Sequence, residues 1–290
     1  MLKDPKRINE LVTQILAIEA EEAKAAGQLG YLARALVQAT LPHKKTELNE
    51  FTRTNGAFTL SILAPGKIGL PYGTIPRLLL SWLTTEAVRT KEREIVLGDS
   101  LSDFMSQLEF VPTGGRWGSI GRLKEQMTRL FSSFVSCSYT DAELTAGTNL
   151  QIADEYKLWW SPKPSDQLEL FTSTVTLSQK FFEEITRNPV PVDLRVLKGL
   201  RKSPLALDIY GWLTYRMSYL KRPTVIPWKV LERQFGADYT RTRDFKAAFI
   251  DQLIKVHALY PDAIVLENQL GLELRPSPTS VSKIVKKPVD

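Results

Sequence analysis

The chain has 290 residues, 43% of them hydrophobic and 24% charged, with a net charge of +6. That composition excludes a disordered or fibrous chain and leaves room for two domains, and the single cysteine, Cys137, excludes an internal disulfide and fits a reducing cytoplasm. No apolar run approaches the roughly 18 residues that span a bilayer, and Met1 to Glu22 mixes charge as no secretory leader does, so a soluble, cytoplasmic protein is expected.

Residues 6–26 are polar, with Ile8, Leu11, Ile15 and Ile18 at helical spacing, which predicts an amphipathic helix. Tyr31 to Ala39 reads as a second short helix closed by Pro42. Glu50 to Ala64 has strand character, with Asn55-Gly56 as a hairpin signal. Thr74 to Val88 is a helix with Pro76 in its first turn, where proline is tolerated. Glu94 to Leu97 is a short strand. Ser100 caps a short helix to Leu108, with Asp103 three residues on. Gly114, Gly115 and Gly118 make the next turn, and Ser119 to Phe134 is a longer helix with Leu123, Met127, Leu130 and Phe134 on one face. Alternation from Ile152 to Trp160 and the Thr/Val/Leu run from Leu168 to Leu177 predict strands, either a three-stranded sheet or a wing. Cys137 reads as a small buried hydrophobe in a strand.

Ser178 to Thr186 is helical, and Asn188-Pro189-Val190-Pro191 reads as a linker. Beyond it come a helix from Leu194 to Gly199, a long helix from Pro204 to Leu220 and a short helix from Pro227 to Gln234 that Gly236 ends. Thr240 to Ala258 is a helix whose apolar face runs Phe245, Phe249, Leu253 and Val256. Ile264 to Leu266 and Leu270 to Leu274 form a hairpin. Each half thus runs helix, short helix, turn, longer helix, β-ribbon. The expected fold is α+β, with two tandem winged helix-turn-helix domains. Residues 1–45 form an N-terminal helical segment, 46–187 the first winged-helix domain, 192–275 the second, and 276–290 a disordered basic tail.

Charge is unevenly placed. Asp193 to Val256 holds 13 Lys/Arg against 6 Asp/Glu, a net of +7, so the rest of the chain sums to −1. A local basic excess suits phosphate, because each neutralised phosphate releases condensed counterion. In a helix-turn-helix the second helix enters the major groove with its N-terminal residues at base edges. Here that helix opens with Thr240, Arg241, Thr242 and Arg243, then Lys246, and its buried face starts only at Phe245. Arginine pairs bidentately with guanine. Lys221, Arg222 and Lys229 suit backbone contacts. A weaker counterpart in the first half is Arg116, Arg122, Lys124 and Arg129, where Trp117 either stacks on a sugar or seals the core.

Catalytic constellations are missing from the sequence. His43 and His257 fall in different expected domains, and no paired-His metal motif, Cys/His zinc set or G-x-S-x-G elbow occurs. His257 near a helix end is a dipole-favoured residue. Gly114-Gly115-Arg116-Trp117-Gly118 lacks the Gly-Lys-Ser/Thr of a phosphate loop. A rolling-circle nuclease would need a His-hydrophobe-His pair, and a tyrosine recombinase an ordered Arg, His and Tyr set; neither is present. No enzyme activity, cofactor or metal is therefore expected.

The stretch from Gly69 to Phe131 reads GLPYGTIPRLLLSWLTTEAVRT, then LGDSLSDFMSQL, then PTGGRWGSIGRLKEQMTRLF. It resembles the RepA-type plasmid replication initiators that share a carboxy-terminal family domain. The similarity extends through PLALDIYGWLTYR and FKAAF, over most of Thr52 to Leu274. The resemblance implies binding to double-stranded DNA at repeated origin elements (iterons), through two tandem winged helices. The second would give the main major-groove readout, and the first weaker contacts and dimerisation. It also implies a homodimer, and the host initiator and replicative helicase as partners. A winged-helix transcriptional autorepressor without an initiation role is the alternative, since the same residues would serve it.

Overall fold

The computed structural model of the chain describes residues 28–98, 101–108, 110–115, 118–158, 173–236 and 239–281. The helix expected over residues 6–26, the Ser100 cap, Arg116, Trp117 and the strand start at Leu168 lie outside them. Two compact units result. One holds residues 31–189 and 233–237; the other holds, of the described residues, 28–30, 190–232 and 239–281.

In the first unit the helix expected over Tyr31 to Ala39 is split. Leu29–Leu32 is a strand (β1), of which Tyr31 and Leu32 belong to this unit, and only Arg34–Gln38 is helical (α1). The backbone of Tyr31 bonds to side chains instead of to its own turn: its N–H donates to Thr85 Oγ1 at 2.9 Å, and its carbonyl accepts from Ser81 Oγ at 3.2 Å. The expected hairpin forms from β2 (Glu50–Asn55) and β3 (Phe58–Leu63). Asn55 pairs with Phe58, so Gly56 and Ala57 are the loop, and Gly56 takes φ +62°, which glycine adopts without strain.

Next come α2 (Thr74–Thr90), β4 (Glu94–Val96), α3 (Leu101–Gln107) and α4 (Ser119–Phe131). The buried guanidinium of Arg77 on α2 donates to the carbonyls of Leu41, Pro42 and Gly73. It thereby fixes the loop before β2 against the start of the helix. α4 stops at Phe131, and Phe134, expected in the helix, opens β5 (Phe134–Thr140), which pairs with β6 (Thr145–Gln151). The sheet order is β2-β3-β5-β6, all antiparallel. Leu60, Ile62, Val135 and Cys137 share its buried face. Burial, helped by the Glu184 charge, pushes the Cys137 thiol up to about 11. It therefore stays protonated at neutral pH. The unit closes with β7 (Ala153–Lys157), β8 (Thr174–Leu177) and α5 (Gln179–Arg187), and β4, β8 and β7 form a three-stranded sheet in that order.

The entry to α4 is built by its own preceding loop. Ser119 N donates to Thr113 Oγ1 and Thr113 N donates to Ser119 Oγ, each at 2.9 Å, and Ser119 Oγ donates to Val111 O at 2.6 Å. The loop closes only because Gly118 has no side chain: a Cβ there would sit 2.2 Å from the Thr113 carbonyl oxygen. That neighbour is backbone and cannot rotate away. Gly118→Ala is therefore expected to destabilise the first unit by about 1–3 kcal/mol or more, seen as a lower urea midpoint. An unchanged midpoint would mean the loop opens at no cost.

In the second unit the expected linker is partly structure. Val190–Asp193 is a strand (β9) with Val190 and Val192 buried, and Asp193 caps α6 (Leu194–Leu200) by accepting from Arg195 N at 2.8 Å. Then follow α7 (Pro204–Met217), β10 (Thr224–Pro227), α8 (Trp228–Phe235, of which residues 228–232 belong to this unit) and α9 (Thr242–Leu259). A hairpin of β11 (Val265–Glu267) and β12 (Gly271–Leu274) ends the series. The sheet order is β10-β12-β11. β10, unforeseen in the sequence, runs Thr224 to Pro227 against Leu274 to Gly271. Ile209, Tyr210, Leu213, Leu231, Phe245, Phe249, Val256, Leu272 and Leu274 are the buried centre.

Each unit contains one series in the same order, helix, strand, helix, helix, strand, strand: α2, β4, α3, α4, β7, β8 in the first and α7, β10, α8, α9, β11, β12 in the second. In each, the first strand pairs with the last. The first unit inserts the β5–β6 hairpin between α4 and β7, and adds α5 after β8.

The segment after Pro276, expected to be disordered, is held as far as Val281. Ile264 N donates to Ser277 Oγ at 3.0 Å, Tyr210 Oη and Ser280 Oγ share a hydrogen bond of 2.7 Å, and Tyr260 Oη donates to the Pro278 carbonyl. Val281 is buried. Polar composition suggested disorder because the hydroxyl partners come from α7 and from beyond α9, remote in sequence.

Candidate nucleic-acid interface

α9 is placed by its apolar face. Phe245, Phe249, Leu253 and Val256 are buried at i, i+4, i+8 and i+11, so the turn before Phe245 is left facing outward. Arg241 is the last residue before the helix, in extended backbone, and Asp244 is the acid of the first turn, where the helix dipole favours it.

On that turn Thr240, Arg241 and Arg243 are exposed. The side chains of Arg241 and Arg243 are 65% and 79% accessible, so neither arginine folds inward. Both lie beside Asp244, with Arg241 Nε donating to Oδ2 at 2.8 Å and Arg243 Nε 3.7 Å from Oδ1. Thr242 is half-buried and donates its hydroxyl to Glu232 of α8 at 2.8 Å. Lys221 and Arg222 are exposed between α7 and β10, and Lys229 is exposed in the first turn of α8.

Two of the expected DNA cations have structural partners elsewhere in the chain. The Lys246 ammonium lies 2.8 Å from Glu267 of β11 and 4.8 Å from the Trp228 ring centre, so it ties α9 to the hairpin. Arg129, 11% accessible at its side chain, pairs with Glu125 and donates to the Leu70 carbonyl at 3.0 Å, close against Gly69. Removing that guanidinium would orphan the carbonyl before removing any surface charge. Arg122 and Lys124 are exposed on α4. The β11–β12 hairpin carries Glu267 and Glu273, and its tip exposes Leu270. In this unit Arg241, Arg243, Lys221, Arg222 and Lys229 are exposed at the opening of α9, on α8 and in the loop before β10, and Lys198 and Lys202 are exposed on and just after α6.

Arg241 and Asp244 are three residues apart, the spacing at which helical side chains meet, so their pairing was legible in the sequence. The Lys246–Glu267 and Arg129–Leu70 contacts were not, because each spans elements remote in sequence. Among the described residues no group of three or more His, Cys, Asp or Glu is gathered as metal ligands, and no helix is long and apolar enough to cross a membrane.

A family model described as plasmid-encoded RepA protein matches residues 70–229. No curated protein matches. Among solved structures, the chain is similar to a crystal structure of domains 2 and 3 of RctB, in selenomethionine form. The TM-score is 0.55 at 12% identity, over 84% of this chain and 95% of that one. A second structure of RctB domains 2–3 gives 0.49 at 12% identity, over 82% and 94%. At that identity the likeness is one of fold alone.

Proposed function

This chain belongs to the family of plasmid-encoded RepA proteins, and from that membership we propose that it is a replication initiator that binds repeated duplex elements at an origin. The series of helix, strand, helix, helix, strand, strand within each unit, with the first strand against the last, supports reading each as a winged helix. On this reading α8 and α9 are the helix-turn-helix pair, and α9 is the helix that enters the major groove. The observation that carries the proposal is the opening of α9: two guanidiniums stand clear of the fold where a groove-inserted helix meets base edges. Lys221, Arg222 and Lys229 supply phosphate contacts, and Arg122 and Lys124 on α4 offer a lesser set. Opening of the origin, and recruitment of a host initiator and replicative helicase, belong to the same proposal through the family.

Footprinting on the DNA that flanks the chain's own gene tests it. The expected result is protection of evenly spaced repeats, one or two helical turns apart, beside an AT-rich stretch. Protection of a single promoter site with no repeats would favour a plain repressor, and no protection would overturn the reading. With about 6 phosphate contacts, log K should fall against log[salt] with a slope near −5. A slope near zero in the same titration would remove the electrostatic basis.

A further inference from the structure

The two arginines at the opening of α9 share one carboxylate. Asp244 Oδ2 accepts from Arg241 Nε at 2.8 Å, and Oδ1 lies 3.7 Å from Arg243 Nε. The turn beneath is closed by the Asp244 and Phe245 amides, which donate to the Arg241 carbonyl at 3.0 and 3.2 Å. Arg241 makes no other side-chain hydrogen bond among the described residues. A guanidinium held through Nε has its two Nη groups left at the far end, and that pair of N–H donors matches the O6 and N7 acceptors of guanine. An arginine free to rotate would have to be ordered on binding; one already tethered has lost part of that freedom beforehand.

We infer that Asp244 is a positioning residue: it aims Arg241 end-on at a guanine edge and so sets which base pair α9 reads. This rests on the DNA-binding reading above. Two plainer roles compete with it. An acid in the first turn steadies the helix dipole, which affects stability and not base choice. An acid near phosphate repels every duplex alike, so its removal would tighten all binding evenly.

Selection of bound duplexes from a random-sequence library by the full chain separates these roles, with wild type, Arg241→Ala, Asp244→Ala and Asp244→Asn run in parallel. Wild type is expected to enrich a motif with a guanine that Arg241→Ala loses. Asp244→Ala should weaken preference for that same guanine by about tenfold, while its binding to unrelated duplex is unchanged or tighter. Asp244→Asn keeps one acceptor oxygen and should retain more of the preference; being isosteric, it carries the test if the alanine variant loses its fold. If both Asp244 variants keep the guanine preference, or lose affinity evenly for all duplexes, the positioning role is overturned and the DNA reading stands. If wild type enriches no motif, both fall together.

Discussion

Replacing Arg241 and Arg243 together with alanine removes the chain's preference for its cognate repeat over unrelated duplex and leaves its thermal unfolding nearly unchanged. The stability half of that expectation follows from exposure. Both side chains are mostly in water and, among the described residues, pair with Asp244, itself partly exposed, and exposed pairs of this kind contribute about 0–1 kcal/mol. The binding half follows from geometry. A bidentate arginine–guanine pair is worth about 1–3 kcal/mol of discrimination, so losing two should cost specificity from about 30-fold upward. Salt titration then tells base contact from phosphate contact. If the arginines read bases, the double variant keeps most of the wild-type salt slope while losing preference. If they sit on phosphates, the slope falls by about 2 and preference survives. Unchanged preference in a competition titration would sink the assignment of α9 as the reading helix.

Phe249→Ala should act in the opposite way, on the fold first and on binding only through it. Phe249 is fully buried, edge-to-face on Trp228 at 6.1 Å and tilted against Phe245 at 5.6 Å between ring centres. It belongs to the face that docks α9 on its unit. Truncating a buried phenylalanine costs about 3–5 kcal/mol, as lost transfer energy plus the cavity left behind. For a unit of about 100 residues each kcal/mol lowers Tm by about 4–8 °C, so a drop of at least about 12 °C is expected for the unit that carries α9. Calorimetry should show that transition moving to lower temperature with the other unit's left in place. Below the transition the variant should keep the wild-type base preference, because its arginines still stand on an intact first turn. A melting temperature within a few degrees of wild type would show that the aromatic cluster is not what holds α9.

Much of this arrangement was legible in the residues. The 4-residue spacing of Phe245, Phe249 and Leu253 marked both the helix and its buried side. Asn55-Gly56 marked a hairpin, and Ser178 marked a helix start that its hydroxyl does cap. Elements whose strand form comes from pairing and not from their own pattern were not legible. β6 runs Thr145 to Gln151 with Ala146, Gly147, Thr148 and Asn149 exposed. It has no apolar alternation to announce it and is a strand because β5 offers its edge. β10 contains Pro227, which reads as a helix start, yet Thr224 to Pro227 lie in register with β12.

The candidate site divides along the same line. Local composition determined that basic charge gathers between Asp193 and Val256, and that α9 opens with arginines before its apolar stripe begins, because periodicity and charge are properties of neighbouring residues. Only the tertiary structure decided which of these cations have partners from remote parts of the chain. Lys246 meets Glu267 and Arg129 meets the Leu70 carbonyl across contacts that chain folding creates, whereas Arg241 and Arg243 pair, among the described residues, with an acid of their own turn. A side chain's availability depends on what packs beside it, and that is a property of the folded neighbourhood.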